Sequence, residues 1–203
     1  SWSIRLSASL ARSLLISSFI SARVLPSANS AASSSFSSGS TLAATSFSFG
    51  YDNGAVADSV VTAKLSGASL TKVSPTRTLS LWNANTFTGT ITHREGTLYL
   101  NNAGAIGGAT TLEFAAGTLF DNRSDAAITL ASNPTIAFST VISGTQGLQF
   151  GGTQAVNLGT GAVALAGPRT FAVFGSAPLT VGGVVSGTGL FTKANPGTLI
   201  LSG

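Results

Sequence analysis

The chain contains no cysteine and no methionine. Disulfide frameworks, thiolate nucleophiles and cysteine-based metal sites are therefore unavailable to it. Charged residues are also scarce, at 8% of the 203 residues, against about a quarter in soluble globular domains. Hydrophobic residues reach 43%, whereas disorder requires low hydrophobicity with high net charge. The composition thus predicts one sizeable domain that folds or assembles and is stabilised by stacking and backbone hydrogen bonds.

The few charges are unevenly distributed along the chain. Residues 1–30 carry Arg5, Arg12 and Arg23 and no acid, which accounts for most of the formal net charge of +4. No basic stripe with interleaved aromatic residues is present, so we expect no nucleic-acid partner. No run approaches the roughly 20 apolar residues that a membrane-spanning helix needs, so we expect no membrane span.

The chain divides into residues 1–60, an N-terminal arm or cap with the strands that lead from it, and residues 61–203, a repeat region. Residues 1–10 alternate between apolar and polar, which predicts a half-buried strand. Its large apolar members are Trp2, Ile4, Leu6 and Leu10. The apolar residues 14–20 suggest a signal peptide as the alternative, but seven residues are short for one. We therefore favour a structural arm.

Short strand candidates follow one another from Thr97 to Leu201, about one every nine residues, with no helical run between them. That spacing fits an antiparallel sandwich as well as a solenoid. The unit Gly-Thr-Leu decides between them, because its copies at Gly96 and Gly117 lie 21 residues apart, a length that suits one coil of a β-helix. We predict that the strands are parallel and that eight leucines point inward: Leu79, Leu81, Leu98, Leu100, Leu112, Leu119, Leu130 and Leu199.

An internal repeat supports the same fold. The segment from Leu65 to Leu81 aligns with the segment from Val185 to Gly203 after two one-residue gaps, and the first copy continues through Asn83 to Asn102. These residues resemble the autotransporter-associated β-strand repeat of bacterial surface and secreted proteins. The motif residues are Leu70, Thr71, Lys72, Thr78, Leu79 and Leu81, then Asn85, Thr86, Phe87, Thr88, Gly89, Gly96, Thr97, Leu98, Ala105, Ile106 and Gly107. Pro75, Arg77 and the charged triplet 93–95 depart from the pattern.

The resemblance implies an all-β, right-handed parallel β-helix that is exported and works outside the cell or on a bacterial surface. It implies a non-enzymatic structural or adhesive role, as in the passenger stalks that carry this repeat. We expect a passenger fragment, a secreted product or a subunit of a larger assembly.

Catalytic residues are not predicted. Glu95, Glu113 and Asp121 would have to share one face to form the carboxylate group of a polysaccharide-degrading β-helix enzyme, the third and least favoured hypothesis. Glu95 lies in a turn, and residues 121–125 have the composition of a polar loop whose Asx side chains cap backbone groups. His93 is the only histidine and is expected in a surface turn. We therefore predict no catalytic residue, no cofactor and no metal.

Threonine pairs suggest a second function. Thr86 with Thr88 and Thr90 with Thr92 are spaced to place hydroxyl groups on one side of a strand, where they could order water or bind sugar. The alternative hypothesis is therefore a glycan- or surface-binding module with a face of serine and threonine hydroxyls. The pairs do not recur at one constant spacing in the sequence, which weakens it.

Self-association is the last expectation. The chain stops at Leu201-Ser202-Gly203, where the earlier copy of the repeat continues, so no polar segment caps the last coil. Solenoids need terminal caps for solubility, and an open strand edge is a template for another chain. We predict a head-to-tail homopolymer in which the N-terminal arm of one copy covers the C-terminal coil of the next. The assembly residues are Trp2, Ile4, Leu6, Leu10, Leu199 and Leu201.

Overall fold

The computed structural model describes residues 21–24, 34–36, 39, 41–50, 58–139 and 147–203, and in these residues the only regular elements are β-strands. Most are three to five residues long, and glycines, prolines and Asx residues interrupt them. The strands are β1 (Ser21–Val24), β2 (Ser34–Phe36), β3 (Thr41–Ala43), β4 (Ser46–Gly50), β5 (Ser59–Val61), β6 (Lys64–Gly67), β7 (Ser69–Val73), β8 (Thr78–Leu81), β9 (Thr86–Phe87), β10 (Thr90–His93), β11 (Thr97–Leu100), β12 (Thr111–Phe114), β13 (Leu119–Asn122), β14 (Ile128–Thr129), β15 (Thr135–Phe138), β16 (Gly147–Phe150), β17 (Val156–Asn157), β18 (Val163–Leu165), β19 (Arg169–Val173), β20 (Leu179–Val181), β21 (Val185–Gly187), β22 (Phe191–Ala194) and β23 (Leu199–Leu201).

The strands form parallel sheets in which each strand pairs with a strand one coil away. Sheet A contains β1, β4, β7, β10, β12, β15, β18 and β21, and sheet B contains β2, β5, β8, β11, β13, β16, β19 and β22. The third side of the stack is sheet C, with β3, β6 and β9, in the early coils and sheet D, with β14, β17, β20 and β23, in the late ones. The chain therefore winds through about seven turns of a β-solenoid, which confirms the predicted parallel β-helix class.

The core consists of columns of side chains that stack from coil to coil. In sheet A, Leu70 pairs with Ile91 and Ile91 with Leu112. In sheet B, Leu98 pairs with Phe120, which pairs with Phe150, and these two rings lie 5.1 Å apart. Each such side chain is buried and contributes about 1.5–3 kcal/mol relative to an exposed one. Because inward and outward residues alternate along a strand, even a short strand contributes inward side chains to two columns.

Six of the eight leucines predicted inside are buried: Leu79, Leu81, Leu98, Leu100, Leu112 and Leu130. The prediction is wrong for Leu119, which pairs with Thr97 on the outer face of sheet B while Phe120 takes the inward place beside Leu98. The two Gly-Thr-Leu units are thus out of register by one residue, and such a shift exchanges the two faces of a strand. Leu199 is only half-buried, in the last coil.

The internal repeat lies on different sides of the solenoid in its two copies. The copy from Leu65 to Leu81 runs through sheets C, A and B, whereas the copy from Val185 to Leu201 runs through sheets A, B and D. Each copy therefore contains three strands, one on each side of the stack, but the two copies begin on different sides. A repeat in this sequence does not mark a fixed side of the coil.

The described strands of the predicted N-terminal arm belong to the same sheets. β1 pairs with β4, and β2 pairs with β5. Residues 1–20, which carry the predicted half-buried strand and the apolar segment 14–20, lie outside the described residues. The division of the chain at residue 60 stays a prediction.

Candidate functional site

The three carboxylates considered for catalysis lie on different parts of the solenoid. Glu95 lies in the turn between β10 and β11, Glu113 is on the outer face of sheet A, and Asp121 is in sheet B. Glu113 accepts a hydrogen bond from the Thr92 hydroxyl at 3.0 Å. Within the ranges that the structure describes, no three His, Asp or Glu residues are grouped so that they could hold a metal ion. The geometry therefore gives these carboxylates separate surroundings.

Asp121 is a structural residue that joins two coils. It is 1% exposed, and its carboxylate accepts hydrogen bonds from the backbone N–H of Thr153 at 3.0 Å and from the Thr153 hydroxyl at 2.6 Å. Its other partner is Arg123, at 2.7 Å, and this guanidinium also lies over the ring of Tyr99. Asp121 and Asn122 are the last two residues of strand β13, so the loop predicted over residues 121–125 begins only after Asn122.

The predicted capping by Asx side chains is confirmed at Asn122. Its carbonyl oxygen accepts a hydrogen bond from the Ser124 N–H at 2.9 Å, and its amide donates to the Ala126 carbonyl at 2.8 Å. A further bond from the same amide reaches Ala155, 33 residues along the chain, at 2.9 Å. The side chain therefore closes its own turn and ties it to the next coil.

A cluster of polar residues lies inside the solenoid where sheet A turns into sheet B; we call Lys72, Ser74, His93, Glu95 and Gly96 the corner cluster. Lys72 is 2% exposed. Its Nζ donates to the Ser74 carbonyl oxygen at 2.8 Å and to the Glu95 carbonyl oxygen at 3.1 Å. The first acceptor belongs to the corner of its own coil and the second to the corner of the next. One ammonium group thus clamps two successive corners.

Burial changes the charge behaviour of Lys72. It lowers the pKa of the amine from 10.5 to about 8, against the opposing effects of the Glu95 and Asp58 charges. A cleft between Phe49, Lys72, Ser74 and Thr78 holds about 10 Å³, roughly the space of one water molecule. It is too small for a sugar or a nucleotide. The amine is positioned to hold backbone carbonyls.

The structure shows that His93 is not a surface-turn residue, and that prediction is wrong. His93 is the last residue of β10, is 0% exposed and stacks in register on Lys72. Its Nε2–H donates to the Gly96 carbonyl oxygen at 2.9 Å, and the ring packs against Phe114 with centroids 6.1 Å apart. Among the residues that the structure describes, its Nδ1 has no hydrogen-bond partner. The signal that could have placed it is the period of two from Ile91, which puts residue 93 on the inward side.

The imidazole is held neutral. Burial lowers the pKa of His93 from 6.5 to about 3, and the neighbouring Lys72 charge lowers it as well, while bonds with the Gly96 and Glu95 backbone act in the opposite direction. Protonation would place two cations on adjacent coils in the core. The His93 ring is fully buried, which suits a structural role better than proton exchange with a substrate.

Gly96 allows the two corners of the cluster to approach. Its φ of 71° lies in the left-handed region, which a residue with a Cβ adopts at a cost. A Cβ at this position would also collide with the Ser74 carbonyl oxygen and lie 2.9 Å from Lys72 Nζ. The clamp therefore depends on a glycine in the following coil.

The outer face of sheet A carries two columns of hydroxyl residues, which we call the hydroxyl face. One column contains Ser46, Ser69, Thr90, Thr111 and Thr135, and the other contains Ser48, Thr71 and Thr92 before Glu113 interrupts it. Neighbours in a column lie one strand spacing apart, about 4.8 Å, and the columns lie about 6.5–7 Å apart along the strands. The coils differ in length, so the spacing of these residues along the sequence varies. In the fold they nevertheless lie in constant register.

The last coil, which consists of β21, β22 and β23, contains the two predicted assembly residues that the structure describes. Leu199 is half-buried and packs against the core, while Leu201 is 51% exposed. Val185 and Phe191 are also half-buried, although Val163, which pairs with Val185, and Phe171, whose ring lies 5.0 Å from that of Phe191, are buried. The other assembly residues, Trp2, Ile4, Leu6 and Leu10, lie outside the described residues, and their role stays a prediction.

Comparisons with family models, curated proteins and solved structures find no match to this chain. The resemblance to the autotransporter-associated repeat is therefore carried by the motif residues alone. In the part of the chain that the structure describes, no helix is long and apolar enough to cross a membrane.

Replacing His93 by Phe should make the solenoid resistant to mild acid. The folded pKa of about 3 lies below the ordinary 6.5, so the unfolded chain binds the proton and stability falls as pH drops from 6.5 toward 3, by up to about 1.4 kcal/mol per pH unit. Phenylalanine should fit at position 93, because the next residue in the same column is Phe114. The Gly96 carbonyl oxygen would still accept a hydrogen bond from the Leu119 N–H. Urea unfolding at pH 7, 6 and 5 measures the slope. Equal slopes for both proteins would contradict the account.

Proposed function

We propose that this chain is a non-enzymatic structural or adhesive β-solenoid that works outside the bacterial cell and extends by head-to-tail stacking of copies. The observation that carries this proposal is the last coil. Within the described residues, its inward side chains Val185, Phe191 and Leu199 are half-buried and pack against the preceding coil. A further coil placed on these side chains would bury them as the preceding coils are buried.

The strand edges of the first and last described coils are complementary. Among the described strands, β21, β22 and β23 each pair with one neighbour only, and so do β1, β2 and β3. Because all pairs are parallel, the edges of one copy would continue the three sides of the next in the same direction. A contact of this kind does not close on itself and produces fibres.

The buried polar groups support a structural role over catalysis. Lys72 and His93 are buried in the core, and Asp121 is bonded to Thr153 and Arg123. Glu113 is bonded to Thr92 on the outer face of sheet A. The exterior location and the bacterial source come from the resemblance to the autotransporter-associated repeat.

Sedimentation and negative-stain electron microscopy test the assembly. We expect particles that lengthen with protein concentration at constant width. Leu201→Glu should raise the concentration required for assembly at least tenfold, because a carboxylate would be buried in the contact. Thr86→Glu, an exposed position on β9 away from the last coil, is the matched control and should assemble as the parent does. A protein that remains monomeric at every concentration would refute head-to-tail stacking.

The alignment of the hydroxyl face favours a second candidate function, the binding of an uncharged polysaccharide along the stack. Thr90→Val combined with Thr111→Val removes two adjacent hydroxyls and keeps the β-branched shape. Co-sedimentation with insoluble cellulose or chitin should show binding that this variant weakens at least tenfold, while Thr86→Val retains it. Equal binding by both variants would exclude the face as the contact.

A further inference from the structure

Three side chains of different chemistry lie in one column on the outside of sheet B, where β8, β11 and β13 end. Trp82, Asn101 and Arg123 each follow the last residue of one of these strands. Their backbone N–H groups donate at the same place to the coil beneath each of them. The column therefore crosses three successive coils and measures about 10 Å from end to end at the usual strand spacing.

Trp82 presents its indole ring to solvent. It is 51% exposed, although it follows directly on the buried Leu81. The amide of Asn83 donates to the Thr62 carbonyl oxygen at 3.2 Å, and its side-chain oxygen accepts a hydrogen bond from the Ala84 N–H at 2.8 Å. The backbone next to the ring is therefore held in place by hydrogen bonds.

Arg123 is held in position by two neighbours. Its Nε lies 2.7 Å from the Asp121 carboxylate, and its guanidinium carbon lies 4.7 Å from the centre of the Tyr99 ring. In the described part of the chain these are its side-chain partners, so its two terminal nitrogens keep their N–H donors. The side chain is 46% exposed, and the buried Asp121 balances its charge. It therefore offers directed hydrogen bonds on a locally neutral surface.

Asn101 lies between Trp82 and Arg123 in the column and has a hydrogen bond left to make. Its Nδ2 is buried and has no hydrogen-bond partner among the described residues. Buried amide groups are almost always paired. This unpaired donor next to an exposed indole therefore points to a bond that an external acceptor completes.

The size and surroundings of the column fit a sugar ring better than a protein surface. Protein interfaces bury about 1,200–2,000 Å² and have an apolar centre, whereas the column neighbours of Trp82 are polar. In the described residues, the other large apolar side chains that are exposed belong to later coils: Phe174, Val184, Leu190, Ile200 and Leu201. A sugar packs its C–H face on one aromatic ring, and its hydroxyls accept hydrogen bonds from amide and guanidinium groups.

We propose that Trp82, Asn101 and Arg123, which we call the aromatic platform, bind an uncharged sugar unit of a soluble glycan. The sugar ring packs on Trp82, and its hydroxyl oxygens accept hydrogen bonds from Asn101 and Arg123. Tyr99 and Asp121 position the guanidinium. The platform is separate from the hydroxyl face on sheet A and from the last coil, so the inference goes beyond the proposed function.

Tryptophan fluorescence reports on the platform directly. The chain has two tryptophans, and Trp2→Phe leaves Trp82 as the only one. Titration of this full-length variant with cellohexaose and with chitohexaose should shift the Trp82 emission in a saturable way for at least one of them. The shift should persist at high salt, which screens contacts between charges. A shift seen only with acidic polygalacturonate fragments, and lost at high salt, would overturn the uncharged class of ligand.

Two variants locate the contact by calorimetric titration with the same oligosaccharides. Trp82→Ala should weaken binding at least tenfold. Phe174→Ala is its matched control and should bind as the parent does, because Phe174 is a similarly exposed aromatic residue, at 49%, outside the platform. Asn101→Ala should also weaken binding, and in urea unfolding it should be at least as stable as the parent, because its Nδ2 has no partner in the described fold.

The outcomes separate this inference from the proposed function. The absence of a shift with both uncharged hexamers, or equal binding by Trp82→Ala and the parent, would overturn the platform. Thr90→Val combined with Thr111→Val should leave this binding unchanged, and its loss in that variant would assign the glycan to the hydroxyl face instead. Trp82→Ala should assemble as the parent does, and a failure to assemble would assign the ring to the contact between copies.

Discussion

Parallel pairing between successive coils is the constraint on which the rest of the structure depends. Strands pair with strands one coil away, so the side chain at a given register position lies on its equivalent in the neighbouring coil. Apolar residues therefore form continuous columns, and hydroxyl residues form continuous columns on the outer face of sheet A. With very few charges and no disulfides, this layered burial is the main source of stability.

The same constraint explains how polar groups are accommodated inside. A lysine or histidine at the inward end of a strand has carbonyl oxygens of the corner within reach, from its own turn and from the next coil. Lys72 and His93 both use such carbonyls, and in the described part of the core neither has a carboxylate partner. The cost of burying them appears as lowered pKa values for both groups, and the bonds to the corner backbone offset part of it.

Much of the fold follows from local pattern, because alternation and glycine corners are visible in the chain. The predicted run of short strands from Thr97 to Leu201, with no helix between them, is present in the described residues. Register was harder to predict. Leu119 is outward because the corner before it holds one residue more than the Gly-Thr-Leu spacing implies, and nothing local distinguishes a corner residue from a strand residue there.

The functional surfaces were less predictable than the strands. His93 was assigned to a turn because its neighbours are charged, although its burial is decided by the column it joins. The sequence suggests a hydroxyl face but does not show its columns, because Thr90, Thr111 and Thr135 are separated by 21 and then 24 residues and only the coil register brings them together. The contacts of Lys72 could not be predicted from local sequence, because its second acceptor lies 23 residues away along the chain.

Engineered disulfides test the coil register most directly, because the chain has no cysteine of its own. Thr97 pairs with Leu119 across adjacent parallel strands, whose spacing of about 4.8 Å falls within the Cα separation of about 4.4–6.8 Å that a disulfide requires. Under mild oxidation, the chain with cysteine at 97 and 119 should form the intramolecular bond in high yield, and the chain with cysteine at 97 and 118 should keep free thiols. A disulfide between 97 and 118 without one between 97 and 119 would contradict the register on which the account depends.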